Sequence, residues 1–257
     1  MSTGGWGPIH SGAQVVRPPS SEVVRRTSAV DSPLCVALDG SDEAELERLA
    51  ELTEDSAGVF KVGLTAFCAL GPRAVRGPLS RRPVFLDLKL HDIPAQVSGA
   101  AAAAAAMGVS YLTAHASGGR EMVAAAADAA PNVAVLGVTV LTSLDAELLG
   151  RLGVAGSPRD QVLRLAEIAL EGGAAGLVCS PLEAAALRAR FGPSSDGGPL
   201  LVTPGIRSRE DVSSDQRRTL SAAEARAAGA DLLVVGRPIS GAPEPGAAAR
   251  AFRAELA

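Results

Sequence analysis

From Ser32 onward the chain alternates short apolar runs with longer stretches of helical pattern, and it does so eight times. The strand-like runs fall at residues 34–39, 58–63, 84–89, 109–115, 133–141, 175–179, 200–203 and 231–235. Helical patterns fall between and after them, at 42–54, 65–75, 94–107, 120–129, 159–171, 182–191, 222–228 and 247–256. Ser41 or Asp42 is a plausible cap for the first helix, and Pro94 and Pro181 suit the first turns of two others. The alanine-rich stretch 100–106 favours a helix packed closely on a sheet.

Strand alternating with helix implies a parallel sheet covered by helices, and eight such units close into a barrel. An open doubly wound sheet is the alternative. Its dinucleotide fingerprint is absent after the first strand, where the turn reads Leu38-Asp39-Gly40-Ser41. The expectation is a single-domain (β/α)8 TIM barrel over residues 32–257. Residues 1–31, rich in Gly, Ser, Pro and Arg and without an apolar stretch, read as a disordered extension rather than a signal peptide.

Composition removes several function classes. At 47% hydrophobic and 20% charged residues the chain has the makings of a core. Its 24 Lys+Arg against 28 Asp+Glu, with no basic run longer than two residues, argue against a general nucleic-acid surface. No apolar run approaches the roughly 18 residues of a membrane span. Cys35, Cys68 and Cys179 form no CxxC pair and each sits in an apolar segment, so buried reduced thiols and a cytoplasmic location are expected. The histidines lack metal-ligand spacing, and His115 reads as a hydrogen-bonded structural residue; no metal site is expected.

The cations are unevenly divided. Of the 24, only Lys61 and Lys89 are lysines, and both fall inside neighbouring strands. In Val84-Phe85-Leu86-Asp87-Leu88-Lys89-Leu90, Asp87 and Lys89 share one face while the leucines share the other. That sends an acid and an amine inward at the end of a barrel where active sites lie. A salt bridge that merely plugs the barrel is the alternative. Lys61 occupies a similar apolar strand, and Asp39 ends the first one. A lysine flanked by acids is able to give up a proton, which arginine does not. With Asp92, these form a charge-alternating set of two lysines and three aspartates. Asp92 lies past the strand on the opposite parity and is expected to point away from its own pocket, towards a subunit neighbour.

The last two units suggest a phosphate site. Strand seven leads into Thr203-Pro204-Gly205-Ile206-Arg207 and then a polar segment, 208–216, with the character of a lid. Asp215-Gln216-Arg217-Arg218 follows, and strand eight ends in Gly236-Arg237. Glycine lets backbone N–H groups approach an anion and arginine clamps it, at the barrel position where phosphates commonly bind. Leu141-Thr142-Ser143 ends strand five and would either read a polar ring edge or cap the next helix.

These residues resemble one family. Asp87-Leu88-Lys89-Leu90-His91-Asp92-Ile93-Pro94 is similar to the DxKxxD signature of the bacterial orotidine 5′-phosphate decarboxylases. The likeness continues in order through Val36-Ala37-Leu38-Asp39, Phe60-Lys61-Val62-Gly63, His115-Ala116-Ser117-Gly118-Gly119, Leu141-Thr142-Ser143, Pro204-Gly205-Ile206-Arg207, Asp215-Gln216 and Val235-Gly236-Arg237. It implies a homodimeric TIM barrel, without cofactor or metal, that makes UMP and CO₂ in the last step of de novo pyrimidine synthesis.

Carried over, the resemblance makes Lys89 the proton donor to C6 and sets Asp87 beside the departing carboxylate. It assigns Lys61 and Asp39 to the ribose, Thr142 to the base, and Gln216, Gly236 and Arg237 to the phosphate, with Arg207 close by. Asp92 would enter the partner subunit's site, and Ile93 would be among the substrate-binding residues. Where the family often has Asn-Thr after Ile-Pro, this chain has Ala95-Gln96, so the amide of Gln96 stands where a threonine contact is usual. Two other readings fit the same residues: a metal-dependent sugar-phosphate decarboxylase or aldolase of the same superfamily, and a non-catalytic sensor of nucleotide phosphates.

Overall fold

Eight parallel strands close on one another in chain order, each beside the strand before it and the last beside the first. The computed structural model of the chain describes residues 31–207 and 220–256. The barrel strands are β1 (Leu34–Leu38), β2 (Val59–Gly63), β3 (Val84–Leu90), β4 (Tyr111–His115), β5 (Ala134–Val138), β6 (Gly176–Val178), β7 (Leu200–Thr203) and β10 (Leu232–Val235). Every pairing between them is parallel, including the closing pair in which Leu34 faces Leu233. All eight expected strands form, and the chain is a single (β/α)8 barrel.

Strand periodicity divides the core in two. Cys35, Ala37, Val59, Phe85, Tyr111, Val138, Val178 and Val234 pack inside the barrel. Leu34, Val36, Phe60, Val62, Leu86 and Leu112, one step out of phase, pack outward against the helices. Strands buried on both faces must be apolar at consecutive positions, so their sequence reads as runs. A polar inward position at a strand's carboxyl end therefore stands out, and those positions build the site.

The helix layer begins with α1 (Glu43–Thr53), whose first turn is capped by Asp42 through the Glu45 amide. The helix expected at 65–75 is instead two, α2 (Leu64–Leu70) and α3 (Arg73–Leu79). Gly71 at φ 59° and Pro72 break it, because a left-handed residue ends one helix and proline suits the start of the next. Next come α4 (Pro94–Ala106), α5 (Arg120–Ala129), α6 (Ala146–Arg151), α7 (Pro158–Glu171) and α8 (Pro181–Phe191). The last three are α9 (Ala222–Ala227), α10 (Arg237–Ser240) and α11 (Pro245–Glu255). The short α6 and α10 lack the apolar period that marks a longer helix, which is why the sequence reading passes over them.

Two further expectations change. The fifth strand ends at Val138 rather than residue 141, and Asp145, not Thr142 or Ser143, caps α6 through the Leu148 amide. Cys35 and Cys179 are buried and outside any disulfide, but Cys68 is exposed. It lies two residues, or about 200° of helix, from Ala66, the buried residue of α2.

At the amino end of the barrel, the Arg188 guanidinium donates to the carbonyls of Gly229, Gly192 and Pro199 at 2.9, 3.1 and 2.7 Å. It also pairs with Asp231, whose carboxylate accepts from Ser194 Oγ and the Leu201 amide. These contacts tie strand entries together far from the carboxyl ends. The small parallel pair β8 (Ile206–Arg207) and β9 (Leu220–Ser221) flanks the segment 208–219, which lies outside the described residues. The expected lid and Gln216 fall there, and the expected extension falls largely in 1–30, also outside them.

Candidate active site

Inward parity at the top of β1, β2 and β3 brings Asp39, Lys61 and Asp87 to one wall of the barrel mouth. The Lys61 ammonium donates to Asp39 Oδ1 at 3.3 Å and lies 3.8 Å from Asp87 Oδ2. Lys89 Nζ donates to the same Asp87 oxygen at 2.7 Å. The result is a continuous chain of alternating charge, Asp39–Lys61–Asp87–Lys89. Side-chain exposure is 11% for both Lys61 and Asp87 and 53% for Asp39, so the centre of the chain is dry and its outer end is wet.

Burial alone would push the charged forms of both central groups out of favour. For Asp87 burial raises the pKa, but the two ammoniums and hydrogen bonds from Lys89 and Thr113 outweigh it and hold the carboxyl below the usual range. For Lys61 burial lowers the pKa, yet Asp39 and Asp87 together raise it above an ordinary lysine's. Each ion is therefore kept ionised by its neighbours. Removing one member of such a set typically costs about 3–5 kcal/mol, because a buried charge is left uncompensated.

Gly63 makes room for this arrangement. A Cβ there would come within 3.0 Å of both Asp39 Oδ1 and Lys61 Nζ. Any side chain would thus push on both ends of the first ion pair.

The third strand does not reach the site as a regular ribbon. Leu86 pairs with Leu112 and Leu90 with Ala114, so β3 uses four steps where β4 uses two. Within this irregular stretch Lys89 adopts φ 51°, alone among the described non-glycine residues in having a positive φ. The left-handed region costs an ordinary residue about 1–2 kcal/mol. The Lys89 amide donates to Thr113 Oγ1 at 2.8 Å, and the Thr113 hydroxyl donates to Asp87 Oδ1 at 3.0 Å. Thr113 is fully buried on β4. Sequence reading missed it; the available signal was a hydroxyl sharing the inward parity of Tyr111 in an otherwise apolar strand.

The charged wall faces a cavity of about 500 Å³, within the range of small-ligand sites. Ala37, Phe85, Val138, Val178 and Val234 form its apolar floor. Pro204, Gly205 and Ile206 after β7, Gly236 and Arg237 after β10, and Leu141 and Thr142 after β5 also line it, and a Cβ on Gly236 would lie 3.6 Å from Asp39 Oδ2. Thr65 from α2 also lines the rim, a position the sequence reading passed over.

The structure thus gathers Asp39, Lys61, Asp87, Lys89, Thr142, Gly236 and Arg237 around one cavity. The backbone of Arg207 lies in β8 beside it. Asp92, Ile93 and Gln96 do not line it: all three are exposed, and Asp92 Oδ1 accepts from the Ile93 amide at 2.6 Å. Asp92 therefore stands outside the charge chain within this subunit, because β3 ends at Leu90 and the chain turns outward into α4. His115 does not reach the cavity. Among the described residues its partner is the ring of His91, 5.3 Å away between centroids, rather than a hydrogen-bonding group.

The sequence from residue 32 to 252 matches the model of the orotidine 5′-phosphate decarboxylase / HUMPS family. The chain belongs to this family. An orotidine 5′-phosphate decarboxylase of Anaeromyxobacter dehalogenans is 55% identical over 225 residues, covering 87% of this chain and 97% of that protein. One of Thermobifida fusca is 49% identical over 227 residues, covering 88% and 96%. Among solved structures, the orotidine 5′-phosphate decarboxylase of Lactobacillus acidophilus superposes with a TM-score of 0.76 at 33% identity, covering 88% of this chain and 99% of that one. The family match spans the whole barrel and every described member of the charge chain. Among the described residues no helix is long and apolar enough to cross a membrane.

Proposed function

We propose that the protein decarboxylates orotidine 5′-phosphate to UMP and CO₂, the closing step of de novo pyrimidine synthesis, without a cofactor. One observation carries this reading: the alternating chain Asp39–Lys61–Asp87–Lys89 along one wall of a nucleotide-sized cavity. Losing CO₂ from C6 leaves an sp² carbanion that no ring carbonyl is placed to delocalise. Preorganised charge is then the available stabilisation. An ammonium about 4 Å from the developing carbanion contributes up to ~4 kcal/mol at an effective dielectric near 20.

In this reading Lys89 stabilises that charge and then protonates C6. Asp87, held ionised by its two lysines, faces the substrate carboxylate, and their repulsion is relieved as CO₂ departs. Lys61 and Asp39 hold the ribose and Thr142 meets the base. Gly236, Arg237 and Gln216 bind the phosphate, with Arg207 nearby. Phosphate contacts remote from C6 then serve the chemical step by orienting the ring.

The exposed run Asp92, Ile93 and Gln96 suits residues that complete a partner subunit's site, so the active unit is a homodimer. Cys35, Cys68 and Cys179, none of them in a disulfide, suit the reducing cytoplasm.

The competing reading is the metal-dependent sugar-phosphate decarboxylase or aldolase that the sequence also allows. Here Asp39 and Asp87 each face an ammonium, which a divalent cation would have to displace. Orotidine 5′-phosphate added in the presence of a chelator tests the choice. Ultraviolet loss of the orotate ring with stoichiometric CO₂ is expected; turnover that appears only when a divalent metal is restored would overturn the reading.

A further inference from the structure

We propose that Thr113 is a positioning residue for the decarboxylation put forward above, on which this inference rests: its hydroxyl locks the Asp87 carboxylate and the Lys89 backbone into one geometry. A threonine hydroxyl has one proton to donate. The Lys89 amide can only donate, so at 2.8 Å it takes the hydroxyl as acceptor. The single hydroxyl proton is left for Asp87 Oδ1, 3.0 Å away.

This fixes the direction of both bonds and gives the two carboxylate oxygens separate tasks. Oδ1 is held by Thr113, while Oδ2 faces Lys89 Nζ at 2.7 Å and Lys61 Nζ at 3.8 Å. Rotation of the carboxylate would exchange those partners, and the hydroxyl opposes it. The same atom receives the Lys89 amide where the β3–β4 register shifts and Lys89 turns to φ 51°. Thr113 therefore stands at the one point from which both reacting side chains are oriented, although it does not line the cavity. A barrel-filling role would need only the shape of threonine, which valine reproduces.

Thr113→Val and Thr113→Ser separate shape from hydroxyl. Single-turnover decarboxylation of orotidine 5′-phosphate is expected to fall on the order of 10²-fold in Thr113→Val, the scale of a small misplacement of reacting groups. UMP affinity should stay within about threefold, because the phosphate and ribose contacts are untouched. Thr113→Ser should recover most of the rate. Should Thr113→Val not accumulate as folded protein, Thr113→Cys, with only a weak donor and acceptor, should fall well below Thr113→Ser. A valine variant within about threefold of the wild-type rate, a serine variant as slow as valine or cysteine, or a loss confined to UMP affinity overturns the positioning role alone. A wild-type protein inert towards orotidine 5′-phosphate overturns the functional reading and this inference with it.

Discussion

Lys89 Nζ lies 2.7 Å from Asp87 Oδ2, although the strand that carries both residues loses its regular register beside them. Regular alternation would give the pair a common face. The observed strand adds a left-handed residue at Lys89, so their contact depends on β4 as well as on spacing along β3. The ammonium is thereby held against Asp87 while its own strand turns out of the barrel.

The proton-donor role proposed for Lys89 is open to a charge-conserving substitution. Arginine keeps the charge but does not release a proton near neutrality. Lys89→Arg should lower kcat by at least ~10³-fold, in the range expected when a positioned acid is lost. The thermal midpoint should stay within about 5 °C of wild type. Near-normal turnover would remove Lys89 from this role.

Arg237 follows β10 and lines the cavity. As the phosphate clamp proposed above, it would make charge-assisted bonds that remain in the transition state. Arg237→Ala should reduce kcat/KM for orotidine 5′-phosphate by about 10²-fold or more. Steady-state kinetics showing a tenfold or smaller loss would count against the clamp.

Asp92 is exposed and lies outside its own subunit's charge chain. If it completes the neighbour's site, Asp92→Ala and Lys89→Ala are each inactive as homodimers. Mixed after dissociation and reassociation, they should regain up to about a quarter of wild-type activity, since each heterodimer carries one intact site. Native mass spectrometry establishes exchange. Exchanged heterodimers without activity would reject the shared site.

His115 supplies a pH dependence of stability. Burial first, then the nearby His91 and Lys89, lowers its pKa, with Asp87 opposing them. The folded protein therefore binds fewer protons at this site than the unfolded chain does below about pH 6.5. Its contribution is present above that pH and is lost as pH falls. Urea unfolding between pH 5 and 7.5 should show a shallower acid loss for His115→Gln than for wild type. Parallel curves would refute the assignment.

The eight strands were legible because each is buried on both faces, and such burial forces consecutive apolar residues into the sequence. Asp39, Lys61, Asp87 and Lys89 were legible for the same reason, as charges that interrupt runs where a charge is costly. The break at Gly71-Pro72 was written in residue types but lost within a longer helical pattern. The end of strand five was not legible, since Val140 and Leu141 continue the apolar run after the ladder stops at Val138. Nor was the exposure of Cys68, which depends on how a seven-residue helix meets the barrel.

By itself the sequence determined the barrel, the order of its charged residues and their inward parity, because periodicity and the cost of burying charge act locally. Only the tertiary structure decided how those charges meet. The Lys61 pairing with two acids joins residues from three strands, and the Thr113 bridge joins β3 to β4. Such contacts depend on strand register, which closure of the barrel sets. The left-handed turn at Lys89 belongs with them, because the two extra steps of β3 have meaning only beside β4.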